Sequence, residues 1–120
     1  MTSGCEWVVD AAGCDPATLA SLPALEALFE DMVAGLRLHP VAPTVWHQFP
    51  GLSPASPGGI TGMSLLAESH LTVHTFPEHG VLSLNLFCCR PRENWAFEDE
   101  LTRRFEAHRV NVRKLERTLS

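Results

Sequence analysis

The stretch Leu66-Ala-Glu-Ser-His-Leu-Thr-Val-His-Thr-Phe-Pro-Glu-His-Gly80 decides the fold, because polar and apolar side chains alternate along it. Successive side chains of a β-strand point to opposite faces. The alternation therefore predicts a half-buried strand that ends at the turn Pro77-Glu78-His79-Gly80. The segment 81–89 alternates in the same way, so the two segments are predicted to form a hairpin.

The two faces of this hairpin are predicted to differ in chemistry. The core face carries Leu71, Val73, Leu82, Leu84 and Leu86. The polar face carries His70, Thr72, His74, Ser83, Asn85 and Cys89. Ser69 has the opposite parity to His74, so a regular strand turns it away from the polar face. It can join that face only if the backbone breaks or bulges between Glu68 and Ser69.

The remaining segments predict an α+β fold. Strands are expected at 7–11, 44–49, 60–67 and around 110–112, with a fraying charged tail. Helices are expected to begin at the caps Asp15, Ser21 and Asn94, the second ending near Leu38 and the third near Ala107. This order predicts a two-layer α/β sandwich, a mostly antiparallel sheet with helices on one face.

Composition predicts a single soluble domain over residues 1–120. The chain is 45% hydrophobic and 19% charged with a net charge of -5, which argues against disorder and against nucleic-acid binding. No signal peptide or membrane span is expected. The four cysteines, Cys5, Cys14, Cys88 and Cys89, lack the spacing of a zinc site, so we expect no metal, reduced thiols and a cytoplasmic location.

Several motifs in this order resemble the bacterial S-adenosylmethionine decarboxylase proenzyme family. The specific ones are Glu68-Ser69-His70, His74-Thr75-Phe76-Pro77-Glu78 and Cys89. The segments Val9-Asp-Ala-Ala-Gly-Cys14 and Gly59-Ile-Thr-Gly62 are also similar to that family. The resemblance runs from about Trp7 to about Arg90.

The resemblance implies a pyruvoyl cofactor made from the chain itself. The Ser69 hydroxyl attacks the carbonyl of Glu68, and the resulting ester undergoes β-elimination. Hydrolysis of the dehydroalanine then leaves a pyruvoyl group, so the chain is divided into 1–68 and 69–120. Such a carbonyl accepts the electrons left when an amino acid loses CO₂. The attack requires a distorted Glu68-Ser69 linkage, because a relaxed planar peptide resists it.

The resemblance also implies roles for five further residues. His74 assists processing, and Cys89 donates a proton to the product carbanion. Glu78 holds the ribose hydroxyls of the substrate, while Phe49 and Phe76 sandwich its adenine. Four of them have a structural alternative: the two rings could be core aromatics, Glu78 a solvated turn residue and Cys89 an inert thiol.

Two departures from the family pattern leave the substrate open. The chain has Asn85 where an acid is usual and Arg90 after Cys89, and both changes weaken attraction to a sulfonium cation. The main hypothesis is S-adenosylmethionine decarboxylation for polyamine (spermidine) biosynthesis. The alternatives are decarboxylation of L-ornithine or L-arginine, and an uncleaved, non-catalytic homologue that binds or regulates a partner. Because the helices are predicted to cover one sheet face only, we expect a homodimer or higher homo-oligomer.

Overall fold

The computed structural model describes residues 3–118 and contains one six-stranded sheet. The strands are β1 (Ser3–Ala12), β2 (Val45–Gln48), β3 (Ile60–Leu66), β4 (Ser69–Phe76), β5 (Val81–Cys88) and β6 (Arg109–Thr118). The helices are α1 (Pro16–Leu19), α2 (Leu22–Leu36) and α3 (Phe97–Phe105). The strand order is β2-β3-β4-β5-β1-β6 and every neighbouring pair is antiparallel. The predicted α+β class with an antiparallel sheet is therefore confirmed.

The first two helices begin where the sequence predicts. The Asp15 carboxylate accepts hydrogen bonds from the amides of Ala17 and Thr18, and the Ser21 hydroxyl accepts one from Ala24. Each cap satisfies amide groups that have no partner within the helix. Helix α2 ends at Leu36, two residues before the predicted end, because Arg37 takes a left-handed conformation.

The helices and one face of the sheet enclose the core. Leu71, Val73, Leu82, Leu84 and Leu86 are at most 3% exposed, so the predicted core face of the hairpin is confirmed. Trp7 lies on the same face and packs against Phe97 of α3, with ring centroids 6.1 Å apart. Burying a large apolar side chain stabilises a fold by about 1.5–3 kcal/mol, so this face holds the sheet and the helices together.

The opposite face of the sheet, here called the open face, carries three cross-strand rows of side chains. The row nearest the 3-10 turn (Pro77–His79) contains Thr61, His74, Ser83 and Asp10. The middle row contains Met63, Thr72, Asn85 and Val8. The third row contains Leu65, His70, Phe87 and Glu6. The predicted polar residues of β4 and β5 are thus flanked by apolar side chains of β3 and β1, among them Met63, Leu65 and Val8.

Two predictions about the C-terminal third are wrong. Helix α3 begins at Phe97 rather than after Asn94, and the Asn94 side chain instead accepts a hydrogen bond from Lys114 Nζ. The segment after Val112 does not fray within the described residues, because β6 pairs with β1 along its length. Arg113 and Arg117 of β6 form ion pairs with Asp10 and Glu6 of β1, so charge complementarity replaces apolar alternation there.

Candidate active site

The chain turns tightly between β3 and β4, and Ser69 is the first residue of the regular strand β4. Leu66 pairs with Ser69, so Ala67 and Glu68 form a tight turn between the strands. Glu68 has φ 57°, a left-handed conformation that non-glycine residues adopt at a cost of about 1–2 kcal/mol. The left-handed residue lies in the turn before Ser69, so Ser69 keeps the parity of Leu71 and Val73 and does not join the polar face as a break at Glu68-Ser69 would have allowed. The strand expected at 60–67 ends one residue earlier, at Leu66.

Ser69 and Cys89 lie together at this end of the sheet. The backbone amide of Cys89 donates a hydrogen bond to Ser69 Oγ over 3.0 Å. The Cys89 thiol lies 3.8 Å from the carbonyl oxygen of Ala67, inside the same turn. The Ser69 oxygen is therefore held by the Cys89 backbone next to the Glu68–Ser69 peptide group.

The two adjacent cysteines have different environments. Strand β5 ends at Cys88, which pairs with Cys5 and is fully buried, whereas Cys89 follows the strand and is partly exposed. Burial, followed by the nearby Cys5, raises the pKa of the Cys88 thiol to about 11. Cys88 is therefore protonated and structural at neutral pH, and Cys89 is the accessible thiol of the pair.

A cavity of about 440 Å³ lies at the other end of β4. Its lining includes four residues that the sequence singled out: Phe49, His74, Phe76 and Glu78. Phe49 is 50% exposed and Phe76 is 40% exposed, so both rings are accessible rather than part of the core. Glu78 lies in the 3-10 turn after β4. The cavity thus offers two aromatic faces, an imidazole and a carboxylate to one ligand.

Glycines shape the wall of this cavity. A Cβ atom on Gly58 would lie 1.8 Å from the carbonyl oxygen of Phe49, and one on Gly59 would lie 2.2 Å from that of Thr75. The Phe49 amide in turn donates a hydrogen bond to the Gly59 carbonyl over 2.9 Å. The loop that follows β2 is therefore closed onto the end of β4 by residues without side chains, which sets the position of Phe49.

Thr61 is a site residue that the sequence analysis missed. Its hydroxyl lies 3.0 Å from His74 Nδ1 across the β3–β4 pair, and it lines the same cavity. The hydrogen bond fixes the orientation of the imidazole ring. The available signal was Thr61 within the Gly59–Gly62 motif, but the β3–β4 register needed to place it opposite His74 was not predicted.

The structure does not bring His74 to Ser69 within one chain. They are five positions apart on the same strand, which corresponds to about 17 Å at a rise of about 3.3 Å per residue. The predicted residues therefore form two clusters. Glu68, Ser69 and Cys89 lie at the start of β4, and Phe49, His74, Phe76 and Glu78 lie at its end.

A hydrogen-bonded network joins the strands on the open face between these clusters. His70 Nε2 lies 2.7 Å from Asn85 Oδ1, and Asn85 Nδ2 donates to Glu6 Oε2 over 2.8 Å. The hydrogen bond from Asn85 holds the pKa of Glu6 below its ordinary value, and the ion pair with Arg117 acts in the same direction. An acid of the neighbouring strand β1 therefore contacts Asn85, which the sequence did not predict.

No group of three or more potential metal ligands is present among the described residues. No helix between residues 3 and 118 is long and apolar enough to cross a bilayer.

Comparisons with known proteins identify a family. The family model described as S-adenosylmethionine decarboxylase matches residues 5–118. A Thermococcus kodakarensis "S-adenosylmethionine decarboxylase proenzyme" is 32% identical over 117 residues, covering 97% of this chain and 77% of the relative. The "S-adenosylmethionine decarboxylase proenzyme 2" of Halalkalibacterium halodurans is 37% identical over 93 residues, covering 76% of this chain and 66% of that protein.

A solved structure shares the fold. The crystal structure of the adenosylmethionine decarboxylase from Aquifex aeolicus superposes with a TM-score of 0.75 at 24% sequence identity, covering 99% of this chain and 93% of that one. The sheet and its helices are therefore a known architecture. Because the family model spans nearly all of the described residues, this chain belongs to the S-adenosylmethionine decarboxylase family.

Proposed function

We propose that this chain is a proenzyme that cleaves itself between Glu68 and Ser69 and becomes a pyruvoyl-dependent decarboxylase. One observation carries the proposal: Ser69, the hydroxyl-bearing residue at the end of the β3–β4 turn, directly follows a left-handed Glu68 and accepts a hydrogen bond from the Cys89 amide. A backbone held in a sparsely populated conformation stores energy that cleavage releases.

The cleavage has three steps. The Ser69 oxygen attacks the carbonyl carbon of Glu68, and the Glu68–Ser69 amide becomes an ester with a free amino group at residue 69. Loss of the α-proton of residue 69 and of the Glu68 carboxylate, which is the leaving group, gives dehydroalanine. Water then replaces the nitrogen, which leaves as ammonia, and residue 69 becomes the pyruvoyl group.

The surroundings of Ser69 fit a pyruvoyl group. Residue 69 begins β4, and pairing with β3 and β5 holds the new N-terminus in the sheet after the chain is cut. When present, the group would supply the electron-poor carbonyl that takes up the electrons left by CO₂. The Cys89 thiol, which is accessible beside the same turn, gives a proton to the substrate carbon that has lost CO₂.

S-adenosylmethionine is the substrate we propose. Phe49 and Phe76 offer exposed rings for the adenine, and Glu78 lies beside them to accept hydrogen bonds from the ribose hydroxyls. Ornithine and arginine have no aromatic base to stack between these two rings. Four free thiols, Cys5, Cys14, Cys88 and Cys89, support a reducing, cytoplasmic location for the reaction.

The test is release of labelled CO₂ from carboxyl-labelled S-adenosylmethionine, ornithine and arginine by the purified protein. We expect release from S-adenosylmethionine alone, and a rise in KM of roughly tenfold or more for Phe49→Ala, the loss of one base–aromatic stack. Release from ornithine or arginine instead would identify the alternative substrates. Absence of release from all three would favour the non-catalytic homologue.

We further propose that the working unit is a homodimer in which each active site is shared. The two clusters lie about 17 Å apart on β4, so one chain does not assemble Ser69 and His74 around one substrate. Exposed apolar side chains on the open face, Val45, Met63, Leu65 and Leu115, support burial of that face against a second copy. An antiparallel arrangement would place the Ser69 cluster of one chain against His74 of the partner subunit.

Complementation between inactive chains tests the sharing. A Ser69→Ala chain lacks the nucleophile, and a His74→Ala chain lacks the imidazole proposed to assist processing. In a mixed dimer, Ser69 of the second chain meets the intact His74 of the first. We expect co-expression to restore cleavage of the His74→Ala chain, and failure of restoration despite mixed-dimer formation would show that each site is confined to one chain.

A further inference from the structure

A second cavity, of about 500 Å³, lies between helix α2 and the edge of the sheet, away from both clusters of the proposed active site. Its residues come from α2, from β2 and the segment that precedes it, and from β3. The segment 41–44, which precedes β2, opens this cavity. Pro40 pairs with Leu66 and Val45 pairs with Met63, but residues 41–44 lie opposite only Ser64 and Leu65. The edge of the sheet therefore bulges outward over Ser64.

Ser64 is unusual among the buried residues of the described chain. Only two polar side chains, Ser64 and Thr75, are buried there. The Thr75 hydroxyl donates to the Leu19 carbonyl over 2.8 Å and accepts from the Ile60 amide over 2.9 Å. Ser64 is 1% exposed, lines the second cavity, and its hydroxyl has no partner among residues 3–118.

An unpartnered buried hydroxyl costs about 1–3 kcal/mol, so most buried polar groups are satisfied. Ser64 also lies in a cross-strand row with Leu71, Leu86 and Trp7, where an apolar residue would suit the core better. A bound molecule that forms a hydrogen bond with the Ser64 hydroxyl would therefore remove this cost.

The rest of the lining defines the chemistry of that molecule. Glu26 and Glu30 are exposed, lie one turn apart on α2, and have no ion-pair partner within the described part of the chain. Two carboxylates at this spacing repel each other in the absence of a cation. Below them, Phe29 and Trp46 pack with centroids 4.8 Å apart, and the lining contains no lysine or arginine.

We propose that this cavity binds a small organic amine that carries a hydroxyl group at its far end. The ammonium group lies between Glu26 and Glu30, the apolar body lies against Trp46, and the hydroxyl reaches Ser64. Cations bind favourably over the face of a tryptophan ring, so Trp46 contributes to recognition of the charge as well as of the body. The site is distinct from the proposed active site, and its occupation does not depend on the pyruvoyl group.

Isothermal titration calorimetry with three related compounds tests the proposal on the intact protein. Tyramine has the ammonium, the ring and the hydroxyl; phenethylamine lacks the hydroxyl; 3-(4-hydroxyphenyl)propionate replaces the ammonium with a carboxylate. We expect tyramine to bind about two- to tenfold more tightly than phenethylamine, the effect of one hydrogen bond, and the anion to show no binding.

Variants locate the site. Ser64→Ala should remove the advantage of tyramine over phenethylamine, and Glu30→Gln should weaken both amines about two- to fivefold. Glu78→Gln is the matched control, because Glu78 is the carboxylate of the other cavity. Ser69→Ala, which cannot form a pyruvoyl group, should bind tyramine as the unsubstituted chain does.

Three results would overturn the proposal. They are equal binding of tyramine and phenethylamine by the unsubstituted chain, binding of the anion as tightly as of the amines, and loss of tyramine binding in Ser69→Ala or Glu78→Gln. The comparison of ligands on the unsubstituted chain keeps the test valid even if a substitution disturbs folding.

Discussion

Replacement of Cys89 by serine is predicted to separate self-cleavage from turnover. The contact that fixes Ser69 comes from the Cys89 backbone amide, so the side-chain change leaves it in place and cleavage should continue. The thiol itself makes only a 3.8 Å contact with Ala67, so stability should change little. A serine hydroxyl is a far weaker acid than a thiol, so loss of the proton donor should lower kcat by about 100-fold or more.

Cys88→Ser is the matched control, and it should lose stability while keeping its activity. Cys88 is fully buried, so a serine hydroxyl there would cost about 1–3 kcal/mol of stability. The melting temperature would then fall by about 4–12 °C, while kcat should change little. Intact-mass analysis, thermal unfolding followed by circular dichroism, and steady-state kinetics measure the three effects. Activity lost in Cys88→Ser but retained in Cys89→Ser would refute this assignment of the two thiols.

Cys89→Ser should also inactivate during turnover, because protonation at the wrong atom consumes the pyruvoyl group. Progress curves would then reach a plateau before the substrate is exhausted, and added fresh enzyme would restart the reaction. A linear progress curve with the same low kcat would show that Cys89 aids catalysis without directing the proton.

Two further predictions concern stability. The pKa of Glu6 is lowered in the folded chain by Asn85 and Arg117, so the charged Glu6 stabilises the fold above its ordinary pKa of 4.5, and this contribution is lost as pH falls through the folded-state pKa. Urea titrations should therefore show that the free energy of unfolding of Glu6→Gln falls less steeply with acid below pH 4.5. An unchanged pH profile would contradict this role of Glu6. A Cβ atom on Gly62 would lie 2.3 Å from the Trp46 ring, so Gly62→Ala should displace the ring and lower the free energy of unfolding by about 1–3 kcal/mol. The measurements are a lower melting temperature and red-shifted tryptophan fluorescence. Unchanged melting and fluorescence would show that the ring lies elsewhere.

Strand parity alone predicted much of the site. The alternation of residues 70–76 and 81–87 assigned each side chain of the hairpin to its face, because a period of two admits no other arrangement once the turn is placed. The same parity turned Ser69 away from the polar face, and the register keeps it so, because the left-handed Glu68 lies in the turn before β4 begins. These features are local, so they can be read from neighbouring residues.

Features that depend on distant strands could not be predicted. The pairing of Thr61 with His74 depends on the register between β3 and β4, which is set only when the turn at Ala67-Glu68 is located. The Asn85–Glu6 hydrogen bond joins residues 79 positions apart. The length of β6 was underestimated because its charged residues show no apolar alternation and their partners lie on β1, at the other end of the sequence.

The intact mass of the purified, unsubstituted chain tests the central claim most directly. Self-cleavage predicts two species: one that ends at Glu68 and one that begins at residue 69 and is lighter by one ammonia than a fragment beginning with serine. Ser69→Ala should give a single uncleaved chain. A single uncleaved species of the unsubstituted protein, or a second fragment that begins with an ordinary serine, would contradict the claim that Ser69 becomes a pyruvoyl group.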